Sequence, residues 1–149
     1  MSKITFRRNG RLAWQRGFTL IEVLVVVVIV GVLMAVALPS YENSMQKGRR
    51  SDAKAALLDV ANRQESFMLD NNTYTTDLTD LGFATNPHIS EEEHYSVTAA
   101  ACASGAIDRC YTITAVARSG SPQVKDGCGS LILDSNGDKS VSGYDSDCW

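Results

Sequence analysis

Gly17 and Phe18 stand at the junction of two contrasting stretches, and Glu22 follows four residues after Phe18. Cleavage between Gly17 and Phe18 would free an α-amino group at Phe18, a group whose ordinary pKa is about 7.7–8.0. Glu22 is the only ionisable side chain in the apolar run Phe18–Leu38. A carboxylate near the centre of a bilayer costs roughly 2.5–3.5 kcal/mol on insertion scales, so it persists there when it meets a partner. An amine and a carboxylate that have both left water favour pairing, because an uncompensated ion is penalised. Within one chain the pair neutralises itself. Between chains offset along their axes, Glu22 of one would meet the Phe18 amine of the next, which makes association selective and sets its register.

The flanks of this constellation decide where it sits. Residues 1–17 carry Lys3, Arg7, Arg8, Arg11 and Arg16 and no acid. An ordinary secretory signal is cut after its apolar stretch, which is then discarded. Here the cut precedes the apolar run, so processing would remove the charges and keep the helix. Phe18–Leu38 would be about 31 Å long as a helix, matching a hydrocarbon core of about 30 Å. Gly31 and Pro39 punctuate its end, and proline leaves the Ala35 carbonyl without its helical partner. The acid-free leader is expected to stay cytoplasmic, although the basic cluster Lys47, Arg49, Arg50 and Lys54 beyond the span partly opposes that orientation. This cluster is expected to face lipid headgroups or a neighbouring subunit.

Gly17-Phe18-Thr19-Leu20-Ile21-Glu22 behind a basic leader resembles the type IV prepilin signature. The likeness is close from Met1 to about Leu69 and rests on organisation alone beyond that. It implies cleavage between Gly17 and Phe18 by a prepilin peptidase, N-methylation of Phe18 by the methyltransferase activity, and Phe18–Glu22 pairing between subunits. It also implies a helix that unwinds locally between Gly31 and Pro39 in the polymer. The expected partners are other pilin subunits, the peptidase and an inner-membrane assembly platform.

Beyond Pro39 the pattern becomes amphipathic. Ala53, Ala56, Leu57, Val60, Ala61, Gln64, Phe67 and Met68 form one stripe at spacings of three and four, with Arg50, Asp52, Lys54, Asp59, Arg63 and Asp70 opposite. One helix of about fifty residues, ended by Asn71-Asn72, is the expectation. Residues 73–87 read as a loop pinned by Tyr74, Leu78, Leu81 and Phe83. Strands are expected at Tyr95–Ala101, Tyr111–Ala117 and Gly129–Leu133, with Lys139–Gly143 a short fourth. The fold class is α+β: a long N-terminal helix on an antiparallel sheet of three to four strands. Its divisions are a leader at 1–17, a membrane or filament-core helix at 18–38, an amphipathic helix at 39–70, and loop plus sheet at 71–149.

The chain has 14 Lys and Arg against 17 Asp and Glu. Loss of the leader removes five of the cations, leaving a side-chain charge of about −8, which speaks against general nucleic-acid binding. Cys102, Cys110, Cys128 and Cys148 all lie in the part expected outside the inner membrane, where an even count reads as two disulfides. Three pairings are open. Sequential pairing, Cys102–Cys110 and Cys128–Cys148, closes short loops contributing roughly 2.5 and 3 kcal/mol and is preferred. Zinc is disfavoured because there is no Cys-x-x-Cys and His88 and His94 stand apart. Asp134–Asp138 fails the EF-hand spacing and reads as a turn, although calcium stays open there. No nucleophile has a paired histidine, and Glu91-Glu92-Glu93 reads as a solvated run. No cofactor and no catalysis are expected.

The resemblance therefore implies a structural subunit of a type IV pilus, most like a minor pilin of twitching-type pili, serving motility or adhesion. Its place is the inner membrane, N-terminus cytoplasmic, and then an extracellular filament. A type II secretion pseudopilin and a DNA-capturing competence pilin are the alternatives.

Overall fold

The computed structural model describes residues 17–103 and 105–149; the five leader cations lie outside the described residues. Helix α1 spans Leu20–Asn71, and five strands follow: β1 His88–Ile89, β2 Tyr95–Ala101, β3 Tyr111–Ala117, β4 Leu131–Asp134 and β5 Lys139–Val141. The chain divides into two units at Pro39/Ser40.

The start and stop of α1 follow from local chemistry. Thr19 accepts a hydrogen bond from the Glu22 amide at 3.2 Å, the Thr-x-x-Glu arrangement of a capping box. At the other end Asn72 adopts φ 54° and its amide reaches the Met68 carbonyl at 2.9 Å. Asparagine enters this left-handed region more readily than most residues, which suits it to a helix C-terminus.

In the second unit, the strands form a meander, β1-β2-β3-β4-β5, antiparallel throughout. Alternation sends Tyr95 and Val97 of β2, Tyr111, Ile113 and Ala115 of β3, and Leu131 and Leu133 of β4 to one face. They meet Ala53, Ala56, Leu57 and Val60 of α1 in one buried cluster, closed by Leu78, Leu81 and Phe83 from the helix–sheet connection. Alanines on the helix stripe leave room for the larger strand residues, so the layers interdigitate. Gln64, wholly buried, fastens the connection, donating to the Thr75 carbonyl at 2.6 Å and accepting from the Thr75 amide at 3.1 Å.

The sheet has five strands where three to four were expected. The addition is β1, which pairs His88 with Val97 and Ile89 with Ser96. Two residues are too few to show a period, and this strand exists through its neighbour's backbone. β4 begins at Leu131 rather than Gly129, because Gly129 sits at φ 63° and cannot continue a ladder. β5 stops at Val141; the Ser142 and Gly143 amides still reach the Ser130 and Cys128 carbonyls, but the left-handed Gly129 between those partners breaks the ladder.

Candidate functional site

Two regions carry the chemistry. In the first unit every described residue is exposed, Phe18 at 84% and Glu22 among them. This helix is long and apolar enough to cross a membrane, and none of its most apolar window is buried within the protein. Gly17 has no neighbour that a Cβ would meet. Gly31 is equally open, and Pro39 lies inside α1. The capping role of Thr19 toward Glu22 is a feature the sequence reading missed, although Thr19-x-x-Glu22 was there to be seen. The bond engages the backbone amide of Glu22, not its side chain; the carboxylate, in the first turn, suits the positive end of the helix dipole.

The second region is a polar clamp inside the sheet domain. Arg50 donates to Asp126 through Nε at 2.7 Å and through Nη2 to the other carboxylate oxygen, and through Nη1 to the Asp147 carbonyl at 2.9 Å. The Asp126 side chain is fully buried and that of Arg50 is 8% exposed. Gln123, also buried, donates to Asp126 at 3.1 Å, to the Tyr95 hydroxyl at 2.8 Å and to the Gln46 carbonyl at 3.3 Å. The Cys128 amide adds a bond to Asp126 at 3.1 Å. Burial alone would push Asp126 up; the Arg50 hydrogen bond, the Cys128 amide and the Arg50 charge together bring it below the ordinary carboxylate value. The bond to Asp126 holds Arg50 above its ordinary value against burial.

The clamp corrects one sequence expectation. Arg50 was placed on the polar side of the helix, in an exposed basic cluster, and it is buried instead. Its partner lies 76 residues away, beyond any local pattern. Lys47 is engaged as well, 2.7 Å from Asp147. The cluster of four is thus reduced to Arg49 and Lys54.

Cys102 and Cys110 are joined across the β2–β3 connection with Cα atoms 5.7 Å apart, and Cys128 joins Cys148 at 5.8 Å. The second bridge holds the C-terminal segment beside β4, where Arg50 also grips it. Gly143 passes so close to Gly127 and Cys128 that any side chain would overlap their backbone. Tyr111 and Tyr74 pack edge to face at 4.8 Å and both direct their hydroxyls to Glu65. Burial, then the Glu65 charge, raises both phenols.

Candidate ligand groups are otherwise engaged. Asp134 accepts the amides of Asn136 and Asp138 at 2.9 and 3.0 Å, making Asp134–Asp138 a self-capped turn with Gly137 at φ 86°. Among the described residues Asp126, Cys128 and Asp145 are the group close enough to share an ion, but Cys128 is in a disulfide and Asp126 is occupied by Arg50. His88 lies in β1 beside Phe83, with ring centroids 4.2 Å apart, and burial lowers its pKa. His94 lies 3.3 Å from the Ser121 hydroxyl. Nothing joins the two histidines into one site.

Residues 39–132 match the family described as "Type IV minor pilin ComP, DNA uptake sequence receptor", and residues 15–38 match the prokaryotic N-terminal methylation motif. The type IV major pilin protein PilA of Myxococcus xanthus is 37% identical over 86 residues, covering 58% of this chain and 38% of that protein. The type II secretion system core protein G of Pectobacterium carotovorum is 34% identical over 79 residues, covering 52% of this chain and 51% of that protein. These matches span about half or less of the relatives' own length. The solved structure of a type IV pilin from Shewanella oneidensis is similar at 25% identity, over 70% of this chain and 97% of that one, with a TM-score of 0.49.

Proposed function

Because the chain belongs to the family described as type IV minor pilin ComP, DNA uptake sequence receptor, we propose that it is a structural filament subunit, not an enzyme, assembled from the inner membrane. The observation that carries this reading is the uncovered apolar helix of the first unit, Glu22 at its start. Such a surface needs lipid before assembly and neighbouring apolar helices after it, because each apolar side chain left in water forfeits about 1.5–3 kcal/mol.

In the proposed sequence of events, a prepilin peptidase of the inner membrane cuts between Gly17 and Phe18 and Phe18 is N-methylated. The leader cations keep the N-terminus cytoplasmic. The assembly platform then joins the subunit to other pilins, and the amine of Phe18 pairs with Glu22 of a neighbour. In the polymer the stretch Gly31–Pro39 unwinds. It holds the two poorest helix formers of the span, glycine about 1 and proline about 3 kcal/mol worse than alanine. The disulfide-closed sheet domain becomes the acidic filament surface.

Capture of DNA is the second reading, favoured over a secretion pseudopilin by the family description matched across residues 39–132. The acidic balance and the internal pairing of Arg50 and Lys47 weigh against a broad, non-specific phosphate-binding surface.

A deletion strain tests the proposal. Sheared filaments from the parent are expected to contain this chain at a small fraction of the main subunit, and its deletion should impair twitching. Loss of secretion with intact pili would instead make it a pseudopilin. Loss of DNA uptake with normal twitching would select the second reading.

A further inference from the structure

A groove of about 710 Å³ opens within the sheet domain between the start of its helix and the segment before β4. Tyr41, Met45 and Arg49 line one wall and Pro122, Val124 and Lys125 the other. The apolar part is open, with Tyr41 64%, Met45 40% and Val124 59% exposed. Lys47, Arg50, Arg63 and Arg118 each lie against a carboxylate. Arg49 and Lys125 have no ion-pair partner among the described residues. Glu42, seven residues before Arg49, is the carboxylate of the lining, so the groove carries a side-chain charge of +1 inside an acidic domain.

Its position along the chain suggests what fills it. Tyr41 follows Leu38, the end of the apolar run, by three residues. Whatever path the chain takes, the groove's first residue is therefore within about 10 Å of that end. Tyrosine beside an apolar span is at home at headgroup level. Arginine and lysine at that level attract anionic headgroups, and the guanidinium fork matches two phosphate oxygens.

We propose that this groove holds the headgroup of an anionic phospholipid, with phosphatidylglycerol as the fitting case. Arg49 and Lys125 take the phosphate, and Tyr41, Met45 and Val124 cover the glycerol and first acyl carbons. The net charges, +1 and −1, match. The site would hold an acidic domain against an anionic leaflet before assembly and be vacated on extraction. The inference rests on the membrane-anchored reading above.

The test uses the mature full chain, one copy per nanodisc, in phosphatidylcholine alone or mixed equally with phosphatidylglycerol. Amine acetylation at Lys125 is read by peptide mass spectrometry against exposed Lys139 in the same molecules. In phosphatidylglycerol discs the Lys125/Lys139 rate ratio should fall at least fivefold, and Arg49→Gln should abolish most of that fall. An unchanged ratio overturns the proposal. Protection that follows the number of copies per disc regardless of lipid also overturns it, assigning the groove to a second copy. Protection by inorganic phosphate in phosphatidylcholine discs would overturn the lipid assignment. Alkaline flotation scores insertion separately: a chain that does not insert overturns both readings, whereas an inserted chain with unchanged Lys125 overturns the groove alone.

Discussion

Glu22 receives the Thr19 cap at its backbone amide, a bond that survives substitution of its side chain. Its charge belongs to the proposed pairing with a neighbour's Phe18 amine. Glu22→Gln is therefore expected to insert and be cleaved, yet enter sheared filaments several-fold less than wild type. Equal incorporation would overturn the proposed pairing. At Gly17 the proposed peptidase needs close approach to extended backbone, which a residue without Cβ permits. Gly17→Val should retain the leader, and intact-mass measurement of the membrane fraction would reveal a normal Phe18 terminus if cleavage tolerates it. Asp126 answers to pH. Its pKa is lowered by folding, so its contribution is full above the ordinary carboxylate range and fades as pH falls through the folded value. Urea melts of the domain from Ser40 onward should lose stability below about pH 4. In Asp126→Asn that part of the slope should vanish. Removing one partner of a buried pair costs roughly 3–5 kcal/mol, so the variant should also be far weaker at neutral pH.

The elements are held to one another at a few crossing points, and each can be tested. Leu57, fully buried between α1 and the sheet, should cost about 2–5 kcal/mol when changed to alanine. Gly143 sits where an added Cβ would overlap the Gly127 carbonyl oxygen. Gly143→Ala should therefore push the C-terminal segment off β4, lowering the thermal midpoint and exposing the Cys128–Cys148 bridge to mild reductant. Oxidised protein should show no free thiol, and peptide mapping should recover the two sequential pairs. The helix itself is expected to respond to Gly31 and Pro39. Replacing both by alanine removes the two weakest helix formers of the span, so filaments bearing the change should stretch less under a given force. Unchanged extensibility would remove the proposed unwinding.

For the molecule taken whole, charge and exposed apolar surface point in different directions. The apolar unit demands company, while a processed chain near −8 resists crowding with copies of itself. Low stoichiometry of this chain among other subunits, as in the proposed minor-pilin role, would reconcile the two. Raising its expression should therefore enrich it in the membrane fraction rather than in filaments. The same charge predicts that any DNA binding will be weak at physiological salt and confined to particular sequences. Mobility-shift titrations of the domain against random and genomic duplexes would expose a broad, salt-sensitive affinity if that is mistaken.

The apolar run is legible without coordinates because a helix long and apolar enough to cross a membrane is a local object, written in consecutive residues. The helix stripe and the strands Tyr95–Ala101 and Tyr111–Ala117 are equally legible, since period and β-branching are local too. The two-residue strand β1 was not legible, because its pairing comes from β2 and its own residues carry no pattern. Arg50 is a mixed case. By helical period it falls in line with Ala53, Leu57 and Gln64, so its inward side was legible although its charge argued for the polar face; only the folded chain brings Asp126 and the Asp147 carbonyl to it. The groove between Tyr41 and Lys125 likewise joins segments far apart in the chain. Burial of a polar group depends on where distant partners arrive, and that is decided when the sheet closes on the helix.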